Sequence, residues 1–388
     1  MTRPYIRYTL TLVAGILVIL GLVGGANMLV DPYRIWTLVS VDGINAAKPQ
    51  ADKVDQMFKP LAVTARQPQV LFLGSSRVAY GMDPQHPAVK KLGEGYNLAL
   101  LGGEMESIRR NLEHAFSVDP KITHVFIGLD FFAFSTELKP PDNFVPERLQ
   151  TRSMILSDVI ATTLTVDATL DSLETLLSNY QDPDLQRFLP DGSLTAIPMA
   201  RRVAKEGMID RFEKSLKLYL SPTRLGNYQR SEAAYAELQR IIEMTEAHDA
   251  QLTAYINPVH ALLLEATHDT GNWPEYLAWR ERLAALAPYW DFSGYSKITG
   301  EPVAFKMAHW WDISHHRKSV GHQVLDRMLT NADQPGETGG FGVYVTAETV
   351  ADRAAQLDEE RAAWRAAHPE DLTWLATETA RINGAAPR

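Results

Sequence analysis

A short apolar run that ends in glycine and serine sets the architecture of this chain: Gln69-Val-Leu-Phe-Leu-Gly-Ser-Ser-Arg-Val-Ala-Tyr-Gly-Met82. An apolar run bounded in this way, here residues 70–73, is typical of a central parallel strand. Ligands of open α/β sheets bind at the carboxyl ends of the strands. Ser76, on the turn that leaves this strand, is therefore well placed for chemistry. The structural alternative is an ordinary turn in which a serine caps the next helix.

The composition of the whole chain limits the possible classes of function. The 388 residues carry 38 Lys and Arg against 47 Asp and Glu, which gives a formal net charge of −9 and no sign of a basic nucleic-acid-binding surface. The chain has no cysteine, so disulfides, thiol nucleophiles and thiolate metal sites are excluded. Its length suffices for one large domain with appendages or for two domains.

The N-terminal segment predicts a membrane anchor. Residues 8–30 form an uncharged run of about 23 residues, near the roughly 20 that a helix needs to cross a bilayer. Arg3 and Arg7 precede the run, and the positive-inside rule then leaves the short N-terminus in the cytoplasm and the rest of the chain in the periplasm. A cleaved signal peptide is the alternative, with Gly24-Gly25-Ala26 as its cleavage site. The length of the apolar run favours an uncleaved anchor.

Strands and helices alternate through the body of the chain. Strand-like runs lie at 70–73, 96–100, 124–130, 252–257 and 289–292. Segments with helical spacing lie at 104–116, 154–177, 231–248, 273–287 and 318–329. This alternation predicts an α/β fold with a central parallel sheet.

The predicted organisation has four parts. Residues 1–30 form the cytoplasmic tip and the transmembrane anchor, 31–68 a juxtamembrane segment, 69–332 the α/β domain and 333–388 a helical, exposed tail outside the core. Within the α/β domain the alternation lapses over 135–230, which we interpret as a mainly helical insertion. This insertion is either a lid or flank of a binding cleft, or a structural decoration.

A second chemical signal lies at the end of the α/β domain. Asp312 and His315 are three residues apart and follow the last predicted parallel strand, so they fall at the sheet edge where Ser76 emerges. A carboxylate that orients an imidazole, which in turn activates a serine, is the arrangement of a nucleophilic triad. A zinc site made of His309, Asp312, His315 and His316 is the alternative, but it leaves the position of Ser76 unexplained. His316 is predicted to be a surface neighbour.

These motifs, in this order, resemble the SGNH/GDSL hydrolases, and more closely their membrane-anchored periplasmic relatives in bacterial polysaccharide O-acetylation, such as the alginate acetylation proteins. The resemblance spans residues 69–329 except the insertion and implies a three-layer flavodoxin-like fold. The strand-Gly-Asp-Ser block corresponds to Gly74-Ser75-Ser76, with Ser76 as nucleophile and Ser75 in place of the aspartate. The Asp-x-x-His block is matched in full by Asp312 and His315.

The two remaining blocks concern the oxyanion hole. The resemblance implies that Gly102, or its neighbour Gly103, donates a backbone N–H beside that of Ser76. The block Gly-x-Asn-Asp supplies an asparagine donor in the family, but this chain has Gly128-Leu-Asp130. An ionised Asp130 cannot donate a hydrogen bond to an oxyanion, and the loss of one donor costs about 3–4 kcal/mol. Asp130 is therefore protonated, or it orders a loop, or the chain no longer catalyses.

Three further side chains are candidates for substrate binding. Arg77 could meet an anionic sugar, His260 could line the cleft and Trp311 could stack on a sugar ring. The other interpretation is a packed or solvent-facing Arg77, a hydrogen-bonded structural His260 and a core position for Trp310 or Trp311, and the residue types favour it. Taken together, the sequence predicts a serine esterase or O-acetyltransferase without a cofactor. Its expected partners are an acyl donor, a carbohydrate acceptor or ester substrate, the membrane and other envelope polysaccharide-synthesis proteins, with no nucleic acid. A non-catalytic assembly or carbohydrate-binding factor is the alternative.

Overall fold

The structure is a computed structural model that describes residues 3–141, 144–182, 185–330 and 341–384. Its internal contacts divide the chain into two compact units, which are described separately below. The N-terminal unit consists of Met1–Ala62 and Val145–Leu189. The sheet unit consists of Val63–Phe144 and Pro190–Arg388.

A mostly parallel sheet organises the sheet unit. Its strands are β1 Val70–Leu73, β2 Gly95–Asn97, β3 His124–Leu129, β4 Gln251–Ile256, β5 Tyr289–Asp291 and β6 Val343–Val345. The strand order is β2-β1-β3-β4-β5-β6; the first five strands are parallel and β6 is antiparallel to β5. The predicted α/β fold with a mainly parallel sheet is confirmed.

Helices connect the strands and form most of the N-terminal unit. The first eight are α1 Arg3–Val30, α2 Asp55–Arg66, α3 Ser76–Gly81, α4 Pro87–Lys90, α5 Met105–Val118, α6 Leu156–Thr163, α7 Val166–Gln181 and α8 Ile197–Glu206. The others are α9 Met208–Tyr219, α10 Glu232–Ala247, α11 Ala261–Asp269, α12 Trp273–Leu286, α13 Lys318–Thr330, α14 Val350–Ala367 and α15 Pro369–Ile382.

Strand β1 lies in the centre of the sheet and positions the turn that carries the predicted nucleophile Ser76, called the nucleophile turn below. All four of its side chains are at most 1% exposed, as expected for a parallel strand that is covered on both faces. Leu73 is paired with Ile127 of β3, so the turns after the two strands leave the sheet at the same level. Since β2 and β3 flank β1 on opposite sides, the chain leaves β1 where the strand order reverses, which is the usual ligand-binding point of such sheets.

The predicted strand at 96–100 is the least accurate of the strand predictions, because β2 ends at Asn97. The Asn97 amide donates to the Val78 carbonyl (2.9 Å) and the Met82 carbonyl (3.0 Å). These bonds fasten the end of β2 to helix α3, and the chain then turns instead of extending the ladder. The predicted helix at 154–177 is divided into α6 and α7, with Thr165 capping α7.

The predicted tail is helical, but it is not an appendage outside the core. Strand β6 pairs with β5, and Leu357 and Trp364 of α14 are buried. Arg353 Nε also donates to Asp291 at the end of β5 (2.8 Å). This packing was not predicted because α14 is rich in Ala, Glu and Arg. Its few buried residues, among them Leu357 and Trp364, are separated by exposed ones. Residues 331–340, including the start of the predicted tail, lie outside the described residues.

The N-terminal unit is built on α1, a 28-residue helix. Residues 4–30 are long and apolar enough to cross a membrane, judged by length and composition. The helix ends where the Asn45 amide donates to the Leu29 and Val30 carbonyls (2.9 and 3.3 Å) and Lys48 donates to the Val30 carbonyl (2.7 Å). These bonds satisfy carbonyl groups that have no partner within the helix.

Candidate active site

The turn after β1 presents Ser76 at the start of helix α3. Ser75 occupies the N-cap position, and its hydroxyl accepts a hydrogen bond from the Arg77 N–H (3.3 Å). Ser76 Oγ lies 2.8 Å from Nε2 of His315. Ser75 is buried, whereas Ser76 is partly exposed. The serine that caps the helix and the serine that faces the histidine are therefore different residues. Ser75 has the capping role of the structural alternative, and Ser76 has the position expected for a reactive serine.

Asp312 holds the other side of the His315 ring. The imidazole Nδ1 lies 2.9 Å from Asp312 Oδ2 and 3.0 Å from Oδ1. The backbone N–H groups of Ser314 and His315 also donate to Oδ1, each at 2.9 Å. Because the carboxylate is surrounded by donors, the ring proton belongs on Nδ1, which leaves Nε2 to accept the Ser76 proton.

The charge on Asp312 is stabilised although the side chain is buried. Burial by itself raises the pKa of this carboxyl, but the charge and hydrogen bond of His315 and the two backbone N–H groups outweigh it and lower the pKa to about 2. Arg211 Nη2 lies 3.4 Å from Asp312 Oδ2 and adds a positive charge nearby. Asp312 is thus an anion at neutral pH, as an orienting residue requires.

The loop after β2 runs beside the nucleophile turn. Leu100 N–H donates to the Gly74 carbonyl (2.9 Å), which fixes this loop against the turn. Gly103 N–H donates to the Leu100 carbonyl (3.1 Å), so it is already used. Gly102 is partly exposed and has φ +66°, a conformation that favours glycine. Of the two candidates for oxyanion binding, Gly103 is therefore the less suitable, because its N–H already binds a carbonyl.

Asp130 orders the turn and cannot serve as an oxyanion donor. Its carboxylate forms an ion pair with Arg77 (2.5 Å) and accepts hydrogen bonds from Ser75 Oγ (2.5 Å) and Asn257 Nδ2 (3.0 Å). Burial alone would lower the pKa of Arg77, but the charge of Asp130 outweighs it and raises the pKa. Of the three accounts of Asp130, the loop-ordering one fits these contacts.

Arg77 connects the nucleophile turn to the loop that carries the base. Its Nε donates to Ser314 Oγ (3.0 Å) and its Nη2 to Tyr219 Oη (2.9 Å), and these two hydroxyls are 2.7 Å apart. Arg77 is only 4% exposed. These contacts correspond to the packed structural role of Arg77 rather than to contact with an anionic sugar, because the guanidinium binds groups inside the protein.

His260 and Trp311, the other candidates for substrate binding, are buried. His260 accepts from Leu262 N–H through Nδ1 (3.2 Å) and donates through Nε2 to the Glu301 carbonyl (2.7 Å). The guanidinium of Arg317 lies 3.6 Å from the centre of the Trp311 ring. These contacts correspond to the structural alternative for both residues.

His316 is fully buried rather than a surface neighbour of His315. An antiparallel bridge between Trp310 and His316 turns its ring inward, against Gly81 of helix α3. Burial lowers the pKa of His316 to about 4. Among the described residues, no three His, Asp or Glu side chains are grouped so that they could hold a metal ion, so the structure does not assemble the zinc ligands proposed as the alternative.

A small cavity of about 40 Å³ is lined in part by Arg77 and Asp130. It is lined mainly by apolar side chains, among them Phe132, Leu263 and Trp279, and does not include Ser76. The cavity thus borders the Arg77–Asp130 pair but not Ser76 itself.

Four residues of the site were not singled out from the sequence: Tyr219, Asn257, Ser314 and Arg211. Asn257 directly follows an apolar strand, as Asp130 does, and that signal could have found it. Ser314 lies inside the Asp-x-x-His motif. Tyr219 and Arg211 belong to α9 in the predicted insertion, where no motif marks them.

The comparisons with known proteins add no relative. No protein-family model matches the chain, and no curated protein matches it significantly. The resemblance to SGNH hydrolases consequently stays a prediction that rests on the motifs.

Proposed function

We propose that this chain is a membrane-anchored serine enzyme that acts on acyl esters, as a hydrolase or an O-acetyltransferase. The observation that carries the proposal is the 2.8 Å distance between Ser76 Oγ and His315 Nε2, with Asp312 on the opposite side of the ring. The strand order 2-1-3-4-5 of the parallel strands supports a flavodoxin-like fold of the SGNH type.

The reaction has two steps. In the first, Ser76 Oγ attacks the acyl carbonyl carbon while His315 Nε2 takes the hydroxyl proton, and the backbone N–H groups of Ser76 and Gly102 hold the oxyanion. The bond to the leaving alcohol breaks, and His315 returns the proton to that alcohol. In the second step, His315 deprotonates water or a sugar hydroxyl, whose oxygen attacks the acyl-Ser76 ester and releases the serine.

The substrate class is supported by the anchor and the resemblance rather than by a substrate pocket. A helix able to cross the membrane, preceded by Arg3 and Arg7, supports a single-pass protein of the bacterial inner membrane with its sheet unit in the periplasm. In that compartment the acceptor is a cell-envelope or exported polysaccharide, and other polysaccharide-synthesis proteins are the expected partners. This assignment is an analogy with the family.

Asp130 favours a second candidate, a non-catalytic carbohydrate-binding or assembly factor. The family places an asparagine donor at this position, whereas the Asp130 carboxylate is occupied by Arg77, Ser75 and Asn257. The oxyanion then has two backbone donors and no side-chain donor. Because Ser76 and its base are nevertheless in contact, the enzyme is the better supported candidate.

Covalent labelling separates the two candidates. The full-length chain in detergent is treated with a serine-reactive fluorophosphonate, and the adduct is located by mass spectrometry. An active enzyme is labelled at Ser76 but not at the preceding Ser75, and loses the label in Ser76→Ala. Failure to label a protein that gives a cooperative thermal transition favours the non-catalytic candidate.

A further inference from the structure

The exposed hydrophobic side chains of this protein are concentrated in the N-terminal unit. Outside α1, that unit exposes Leu38, Val39, Val41, Ile44, Leu156, Ile160, Leu164, Val166, Leu170, Leu173, Leu177 and Tyr180. The described part of the much longer sheet unit exposes Ile209, Leu218, Phe305 and Tyr344. Scattered exposed hydrophobic residues are normal, but a contiguous group marks an interaction surface.

Helix α7 carries most of this surface as a single stripe. Its exposed apolar residues follow each other at spacings of four and three, which places them on one side of the helix: Val166, Leu170, Leu173, Leu177 and Tyr180. These side chains are 53–84% exposed. The opposite side of α7 packs within the unit, where Asp171 binds Tyr33 and Asn179 binds Ala47. The stripe, together with Leu156, Ile160 and Leu164 of α6, is called the apolar face below.

The turn between α6 and α7 packs directly against α1. Asn27 Nδ2 donates to the Thr163 carbonyl (2.8 Å) and to Thr169 Oγ1 (3.0 Å). A Cβ atom on Gly24 would lie 3.0 Å from the Leu164 side chain, so glycine permits the close approach. Side-chain hydrogen bonds between helices and a small residue at the contact are common features of helix packing in membranes.

The position of this contact along α1 sets its depth. The charge of Arg7 places the start of the hydrocarbon core at Tyr8, and at 1.5 Å per residue its roughly 30 Å then reach Asn27. Residues 4–22 are exposed on all sides. Gly24 and Asn27 are the first buried residues beyond this stretch. The turn between α6 and α7 therefore lies at the boundary between hydrocarbon and headgroups. The exposed residues 38–44 are held to the same end of α1 through Asn45.

We propose that the apolar face lies in the outer interfacial layer of the same bilayer that α1 crosses. The apolar face adjoins α1 through the contact of Leu164 with Gly24, and we therefore infer that lipid covers it. Helices α6 and α7 contain no Lys or Arg, so binding relies on apolar burial rather than on attraction to anionic headgroups. If α1 were the sole contact with the bilayer, the rest of the N-terminal unit could rotate relative to the membrane surface. Contact of the apolar face with lipid would fix the orientation of this unit.

Site-specific labelling in vesicles tests the proposal. Because the chain has no cysteine, a single substitution gives a single labelled site. The full-length Leu173→Cys protein is labelled with an environment-sensitive fluorophore and reconstituted into phosphatidylcholine vesicles that contain nitroxide-labelled acyl chains. A residue immersed in the interface loses about half of its emission or more, and 1 M salt does not restore it. Glu246→Cys is the control, because Glu246 is an exposed residue of α10 in the sheet unit. A label at this position should keep its emission.

Leu17→Cys, within α1, verifies insertion and separates failure of the anchor from failure of the proposal. If the nitroxide lipid quenches the Leu17 label but not the Leu173 label, the proposal is contradicted. Aqueous iodide then distinguishes two explanations. Quenching of Leu173 by aqueous iodide shows an open surface. Protection from both quenchers shows a protein cover, which in these vesicles is a second copy of the chain.

Discussion

Arg77 and Asp130 form a buried ion pair directly beneath the turn that presents Ser76. The two residues leave neighbouring strands, β1 and β3, and the same guanidinium reaches Ser314 between Asp312 and His315. The turn that carries Ser76, the end of β3 at Asp130 and the loop that carries Asp312 and His315 (the base loop) are thereby joined through one side chain. Asp130 stands where the resemblance to SGNH hydrolases predicts an asparagine, and its charge is balanced by Arg77, the residue next to Ser76.

Removal of one member of this pair should be far more damaging than removal of both. Asp130→Asn leaves Arg77 buried without its counter-charge and should lower the free energy of unfolding by about 3–5 kcal/mol. Arg77→Met combined with Asp130→Asn should cost clearly less than the sum of the single substitutions. Urea unfolding of the three variants measures this difference. Additive effects would show that the pair does not act as a unit.

Asp312→Asn should abolish most of the activity while leaving the fold intact. The amide can still approach His315 but favours the wrong tautomer, and in serine triads this change costs about 10⁴ in kcat. Hydrolysis of a small acetyl ester and the rate of fluorophosphonate labelling both report the loss. Lys297→Gln, on the surface of the sheet unit, is a control that should retain activity. Because the pKa of Asp312 is about 2, its own titration should not limit activity between pH 5 and 8.

The protein should lose stability as the pH falls from about 6.5 to 4. His260 and His316 are buried, and burial lowers the pKa of each to about 4, so in this window the unfolded chain binds protons that the folded chain does not. Each pKa unit corresponds to about 1.4 kcal/mol, and the penalty is complete below pH 4.

Thermal unfolding across this pH range tests the histidine assignment. His316→Leu should reduce the slope of stability against pH, whereas His248→Gln, on an exposed side chain, should not. An unchanged slope in His316→Leu would mean that His316 is not the neutral buried group described above.

Gly81→Ala should destabilise the sheet unit through a single methyl group. A Cβ atom at this position would overlap the His316 imidazole, and overpacking of this kind costs about 1–3 kcal/mol. The double variant Gly81→Ala with His316→Ala should recover part of the loss, since it removes the ring that collides with the methyl group. The denaturation midpoints of the single and double variants measure this recovery. If the double variant is no more stable than Gly81→Ala, the loss of stability does not come from overlap with His316.

The sequence was informative where chemistry follows directly from strand order. Ser76 and Asp130 both follow apolar strands, and the three-residue spacing of Asp312 and His315 predicted their contact. Tyr219 and Arg211 could not be found in this way, because their approach to the base loop depends on how α9 folds back across more than ninety positions of sequence. The inward turn of His316 likewise depends on a bridge to Trp310 that no local pattern announces.

The pairing of β6 with β5 has a consequence for how the molecule is made. Asp291, in the interior, is bound both by Arg280 (2.7 Å) and by Arg353 from α14. Until residues 343–353 are available, β5 remains an open edge and Asp291 lacks one of its two cations, a combination that invites strand-to-strand association. During synthesis the sheet therefore completes itself late, because β5 stays open to strand-to-strand association until β6 and Arg353 have followed it.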